Sequence, residues 1–467
     1  MSQVAPEIFK AYDIRGVVGK SLTENTVELI GKSLGTEAVK RGGKTIAIGR
    51  DGRLSGPAFA AALARGIQST GVNVIDCGMV VTPMTYFAGF HLNTGSAVMI
   101  TGSHNPPDYN GIKSVIQGDT LALEDIQTLL KRIEADDFAT GQGTYEKADV
   151  KDAYIARIVG DAKLKRKMKI VVDCGNGAPG AFAPDLFRAM GCEVIELFCE
   201  VDGNFPNHHP DPAQPKNLQD VIRTLKETDA ELGLAFDGDG DRLGVVTKDG
   251  EIIFPDRQLM LFAADVLSRV PGGEVIYDVK STRHLGPWVK KHGGKPTLYK
   301  TGHSLLKRKM KETGAPIAGE MSGHIFFKER WYGFDDALYC GARLLEIVSA
   351  FADANTPGHE DTALQHVVLP IFDEPREFAK LGFGGRVCGD TVECDTRLRV
   401  FEAHEILAKI LNQPLLARGQ PLLEDALADC RRFIDAAQAC EHGRPGEGDL
   451  QHCFVRVAHC GDQDTQQ

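Results

Sequence analysis

Eleven cysteines occur in this sequence, yet none forms a C-x-x-C pair, which removes the usual frame of a zinc ribbon or a thioredoxin-type site. The opening, MSQVAPEIFKAYDIRG, lacks the basic start and apolar core of an export signal. A disulfide framework is therefore not expected, and the cysteines read as buried thiols of a cytoplasmic protein. No run approaches the ~18 consecutive apolar residues of a membrane span. Positive charge is short as well: 53 Lys and Arg against 64 Asp and Glu leave a formal charge of −11. A general nucleic-acid or anionic-membrane surface depends on an excess of basic residues and is not expected. An anionic small molecule remains a candidate ligand if basic residues gather in one cleft.

What is present is an ordinary globular composition, 42% hydrophobic and 25% charged over 467 residues, enough chain for about three or four domains. Short Val- and Ile-rich runs end in polar, Gly-containing loops: TIAIGRDGRLSG from Thr45, AVMITGSHNP from Ala97, KIVVDCGNGAPG from Lys169, ELGLAFDGDGDR from Glu231 and EVIYDVKSTR from Glu274. Such runs read as buried strands. Helical spacing with cap signals falls between them, at Ser55 to Gln68, Ala181 to Met190 and Leu218 to Thr228. Alternation of this kind predicts an α/β fold of parallel sheets covered by helices, with ligands beyond the carboxyl ends of the strands. Recurrences near Thr45, Lys169 and Glu231 are too far apart for a solenoid. They suggest related α/β domains around one cleft, with boundaries near Ala135 to Thr144 and near Pro255. The expected division is 1–150, 151–255, 256–365 and 366–467.

The loop Asp237 to Arg242, DGDGDR, alternates three carboxylates with glycines, so one tight turn can aim several oxygens at a hard divalent cation. A solvated acidic turn is the plain alternative. An EF-hand is excluded because Arg242 and Lys248 stand where that loop needs Gly and Glu, and a strand-like segment precedes it. Magnesium at a strand end fits better, since it leaves positions to water or phosphate. That gives a use to Ser103 in ITGSHNPPDYNGIK, otherwise only a turn residue: its hydroxyl could carry a phosphoryl group beside the metal. A hydrolase nucleophile is less suited, because TGSHN is not G-x-S-x-G and His104 directly follows the serine. Arg15, Arg50, Arg53, Lys113, Arg242, Lys280 and Arg283 lie in or beside Gly-rich turns and are expected as phosphate partners. Gly319 to His324, GEMSGH, offers a carboxylate, a hydroxyl and an imidazole suited to a polyol.

Together, TGSHNPPDYNG, DGDGDR, GEMSGH, the opening YDIRG and KTGHS at Lys300 to Ser304 resemble the motif set of the α-D-phosphohexomutases, in their bacterial phosphomannomutase/phosphoglucomutase branch. The likeness runs from about Ile8 to about Leu345. It implies four domains around a deep cleft, three of them related α/β domains, in a monomeric isomerase acting on hexose phosphates. It further implies that Ser103 is the phosphoserine with His104 as an accessory group, and that Asp237, Asp239 and Asp241 hold one Mg²⁺ together with that phosphate. Arg242 and Arg15 would serve the transferring phosphoryl group and Lys113 the proton of the reacting hydroxyl. Tyr12, Lys280, His303, Glu320, Ser322 and His324 would meet the sugar, with Glu320 and Ser322 on its 3- and 4-hydroxyls. Glucose and mannose differ only at carbon 2, so such a loop would accept both. Glucose or mannose 1,6-bisphosphate would be intermediate and activator.

The family's phosphate-clamping loop, R-x-S-x-T-x-P, is not found after residue 345; Arg386 in GFGGRVCGDT is a weak substitute. Six of the eleven cysteines, Cys388, Cys394, Cys430, Cys440, Cys453 and Cys460, fall in this last quarter. A diverged clamp domain, a different domain or an out-of-frame segment would each account for it. The alternative expectation is therefore an impaired or non-catalytic relative that still binds sugar phosphates.

Overall fold

A computed structural model describes residues 4–351 of the chain. The expectations for 366–467, including Arg386, lie outside the described residues. Three sheets succeed one another along the chain. The first has the order Ile14–Val17, Tyr109–Ile116, Ala97–Ile100, Thr45–Arg50, Asn73–Met79, Tyr145–Lys147, with Asp119–Thr120 paired to Tyr109–Ile116. The second runs Ile252–Ile253, Leu243–Thr247, Leu232–Phe236, Lys169–Asp173, Glu193–Leu197, and the third Lys295–Tyr299, Glu274–Asp278, Ile317–Gly319, Ile325–Phe327. All five runs read as strands from the sequence are strands, and the three helices are Gly56–Gln68, Ala183–Ala189 and Gln219–Glu227.

The sheets are mixed rather than purely parallel. In each, a buried parallel strand delivers a loop and the chain returns antiparallel beside it: Ala97–Ile100 to Tyr109–Ile116, Leu232–Phe236 to Leu243–Thr247, Ile317–Gly319 to Ile325–Phe327. A short loop can only return antiparallel, because a parallel return needs a crossover of about a dozen residues or more. The real repeat is this strand–loop–strand hairpin. The recurrences at Lys169 and Glu231 turn out to be neighbours in one sheet.

Apolar packing fixes the loops. Ala97–Ile100 and Leu232–Phe236 are buried along their whole length, and each large aliphatic side chain so buried contributes roughly 1.5–3 kcal/mol. Helices Glu24–Lys40 and Gly56–Gln68 press together on the first sheet; a Cβ at Gly66 would come within 2.1 Å of the Glu28 carbonyl. One apolar core joins the second and third sheets to helices Thr82–His91 and Ala337–Phe351. Among the described residues no helix is long and apolar enough to cross a membrane. Cys77, Cys174, Cys192 and Cys340 are buried free thiols, and Cys199 is half-buried.

Candidate active site

The first loop carries Ser103 at φ +48°, a left-handed conformation that costs a non-glycine residue of order 1–3 kcal/mol and persists only where the surroundings enforce it. They do so through one side chain. The buried Arg53 guanidinium donates to the carbonyls of Ser103 (2.8 Å), Asn105 (2.6 Å), Pro106 (2.5 Å) and Tyr109 (3.0 Å), and pairs with Asp51 at 3.2 Å. Arg53 is thus a brace for the loop, contrary to the expectation of a phosphate partner, because its donors are taken. Arg15 donates to the Gly102 carbonyl at 2.7 Å and is held by Asp13. The buried Ser103 Oγ lies 2.9 Å from Asp237 Oδ2 and 3.1 Å from His104 Nδ1. Its single hydrogen serves one of them at a time.

The second loop buries all three aspartates. Asp237 Oδ1 accepts the backbone N–H groups of Gly240, Asp241 and Arg242, each at 3.1 Å, which shapes the turn. Gly238 lets this turn lie against the serine loop, since a Cβ there would meet the Ser103 carbonyl at 2.5 Å. Lys113 Nζ bridges Asp239 Oδ2 (2.8 Å) and Asp241 Oδ2 (2.5 Å), and Thr82 Oγ1 donates to Asp239 Oδ2. The other oxygens, Asp239 Oδ1 and Asp241 Oδ1, are buried and accept no hydrogen bond, although His324 lies within ion-pair distance of the second.

Burial and the two neighbouring carboxylates push Asp237 well up. Burial and Asp241 act the same way on Asp239, but Lys113 outweighs them and holds it low; Lys113 and His324 likewise overcome burial at Asp241. Burial would lower Lys113, yet Asp239 and Asp241 raise it well above its ordinary value. One carboxylate oxygen from each aspartate lies within 4.8 Å of the others. Hard oxygens, orphaned and clustered, fit a divalent cation such as Mg²⁺.

The third loop is hung from Asp278, a buried carboxylate that accepts from Met321 N–H (3.1 Å), Ser281 Oγ (2.7 Å) and Thr301 Oγ1 (2.9 Å). Glu320 accepts from the Gly302 N–H and stands 3.4 Å from Ser322 Oγ. His324 Nδ1 lies 3.0 Å from Ser322 Oγ and 3.1 Å from Glu320 Oε2, and its Nε2 is 3.3 Å from Asp241 Oδ1. Burial and Arg242 depress His324, but Asp241 and Glu320 raise it to about 9. Arg242 Nε donates to His324 Nε2 at 3.3 Å. Burial, then Arg242 and Arg15, press His104 down to about 2. Burial, then Lys307, holds His303 well below its usual range.

Three loops from three sheets meet here, and a backbone bridge between Arg242 and His324 joins the second to the third. Tyr12 spans the first and third: its hydroxyl donates to the Thr301 carbonyl at 3.1 Å, Ser304 Oγ donates to its carbonyl at 3.1 Å, and its ring meets His303 edge-on at 6.5 Å. Lys280 and Arg283 stand exposed, and among the described residues neither they nor Arg50 bond to the cluster. Sequence reasoning missed Thr82, Asp278, Lys307 and Asp335. The last lies in YGFDDALY, where two adjacent acids between apolar residues were the available signal.

Family models for phosphoglucomutase/phosphomannomutase α/β/α domains I, II and III match residues 6–140, 152–250 and 254–361. A phosphoglucomutase of Neisseria meningitidis is 62% identical over 377 residues, covering 79% of this chain and 82% of that one. A phosphomannomutase/phosphoglucomutase of Pseudomonas aeruginosa is 53% identical over 400 residues, covering 83% and 86%. The crystal structure of a phosphoglucomutase/phosphomannomutase family protein from Burkholderia thailandensis, 56% identical, superposes with a TM-score of 0.74 over 78% of this chain and 80% of that one. The chain belongs to the phosphoglucomutase/phosphomannomutase family of isomerases.

Proposed function

We propose that the protein moves a phosphoryl group between C1 and C6 of glucose or mannose phosphates, through phosphorylated Ser103 and a hexose 1,6-bisphosphate. The observation that carries this reading is the meeting of three loops at one point. Ser103 Oγ is 2.9 Å from Asp237 Oδ2, and His324 of the polyol loop is 3.3 Å from Asp241 Oδ1. The names of the relatives, phosphoglucomutase and phosphomannomutase/phosphoglucomutase, support the substrate class.

In the first half, the bond from phosphorus to Ser103 Oγ breaks, a bond to a sugar hydroxyl oxygen forms, and the proton of that hydroxyl ends on Ser103 Oγ. In the second, the bisphosphate turned end for end returns its other phosphoryl group to Ser103. Mg²⁺, when held by Asp237, Asp239 and Asp241 with the serine phosphate, supplies positive charge that neutralises the group in flight. Lys113 and Arg242 add fixed positive charge from the protein. Lys113, kept protonated by Asp239 and Asp241, is suited to give a proton to a departing oxygen rather than to take one first. Glu320 can accept from two adjacent hydroxyls, and Ser322 can donate and accept.

The test is conversion of glucose 1-phosphate to glucose 6-phosphate with Mg²⁺ and catalytic glucose 1,6-bisphosphate, run beside Ser103→Ala. Turnover in the parent and none in the variant is expected. Equal turnover in both would remove the serine from the mechanism, and none in either would remove the mutase reading.

A further inference from the structure

Each aspartate of the acid loop has one oxygen engaged by the protein, but the engaging groups differ. Asp237 Oδ1 takes three backbone N–H groups, and Asp241 Oδ2 takes Lys113. Asp239 Oδ2 takes Lys113 at 2.8 Å and also the hydroxyl of Thr82 at 2.5 Å, the short distance of a hydrogen bond to an ionised carboxylate. Asp239 Oδ1 accepts no hydrogen bond. Thr82 is itself fully buried and opens helix Thr82–His91. That helix start lies against the acid loop: the Thr82 N–H donates to the Asp239 carbonyl at 2.8 Å, and a Cβ at Gly240 would come within 2.9 Å of Val81. Further along the helix, the Tyr86 ring centre lies 4.4 Å from the Lys307 ammonium, which donates to buried Asp335 at 2.9 Å. The helix is thereby anchored beyond its first turn, which holds Thr82 against its partner.

A carboxylate with one oxygen tied down has one to offer a cation. Of the two groups on Asp239 Oδ2, the Lys113 ammonium is repelled by an arriving dication, whereas the neutral hydroxyl is not. We infer that Thr82 is a positioning residue that sets metal specificity: its hydroxyl keeps Asp239 Oδ2 occupied, so that Asp239 presents a single oxygen and the loop favours Mg²⁺ over Ca²⁺. This inference rests on the metal assignment within the mutase reading. Mg²⁺ is small, demands near-octahedral placement and usually takes one or two carboxylates beside water and phosphate, while Ca²⁺ accepts more oxygens and can take a carboxylate by both of them. With the hydroxyl gone, only Lys113 restrains the Asp239 carboxylate, which can then turn both oxygens toward one ion. Ca²⁺ gains from that freedom and Mg²⁺ does not.

Thr82→Val replaces the hydroxyl by a methyl group and keeps the backbone N–H bond to Asp239. Calorimetric titration of the full chain with Mg²⁺ and, separately, with Ca²⁺ is expected to show Mg²⁺ affinity lowered about 10–100-fold, the usual effect of losing a group that holds a metal ligand, and Ca²⁺ affinity lowered by less. Thr82→Ser, which restores the hydroxyl, is expected to restore the parental preference. Thr82→Ala sets no methyl against the carboxylate; it should shift the preference as the valine does, and it carries the test if the valine variant does not fold. Parental Mg²⁺ affinity without the hydroxyl would overturn the inference. So would an equal loss for both ions, which would make Thr82 only a support for the loop, or a serine variant as weak as the valine one. A parent chain that takes up neither ion would overturn the metal assignment and this inference with it. None of these titrations depends on turnover, so the inference stands or falls apart from the mutase activity itself.

Discussion

The acid loop Asp237 to Arg242 and the polyol loop Glu320 to His324 occupy the same place in their respective sheets, at the turn from a buried parallel strand to its antiparallel return. The fold treats them alike and the residues do not. The first buries three carboxylates around orphaned oxygens and a bridging lysine. The second intersperses one carboxylate, one hydroxyl and one imidazole and hangs them from Asp278. The hairpin thus supplies position, while side-chain chemistry divides the labour between charge and hydroxyl recognition.

Substitutions in each loop should separate those duties. Asp239→Asn removes an unpaired acid-loop oxygen and should lower kcat by about 10²–10³-fold while weakening Mg²⁺ binding by calorimetry. Unaltered Mg²⁺ affinity would mean that the loop is not the metal site. Glu320→Gln should reduce kcat/KM by about 10–100-fold, the effect of a lost charged hydrogen bond, with Mg²⁺ affinity unchanged. A large loss of metal affinity there would show that the two loops do not divide the work. Ser103→Gly should abolish turnover yet raise stability by about 1 kcal/mol in urea unfolding, since glycine accepts the left-handed backbone without strain; a stability loss would mean that the Ser103 side chain contributes more than the strain costs.

The smallest effect lies away from all three loops. Burial lowers the pKa of His208, but its bond to Asp173, 3.0 Å, outweighs this and raises it. A raised folded-state value means that the stabilisation is fully present below the ordinary histidine pKa of ~6.5 and fades as pH rises through the folded value. His208→Gln should therefore cost about 1 kcal/mol in acid-side buffers, near pH 6, and less at pH 9. A cost independent of pH would assign the effect to packing alone.

The parallel strands were legible because their apolar runs are continuous, as in KIVVD and ELGLAF. The antiparallel return YNGIKSVI was not, because it mixes polar and apolar residues to carry Lys113 inward. Ser103 and the three aspartates stood out through their glycine-rich setting. Arg53 was misread because a turn arginine looks the same whether it faces a phosphate or four carbonyls. Asp278 and Asp335 gave little sign, since their importance lies in what folds over them. Lys280 and Arg283, expected at the site, are exposed to solvent.

The brace of Arg53 also bears on the entropy of the reaction. Four carbonyls of the serine loop share one guanidinium, so the loop is ordered when the chain folds rather than when a ligand arrives. Ligand binding then need not freeze that segment, and each half of a reversible transfer meets the same arrangement whichever end of the sugar enters first.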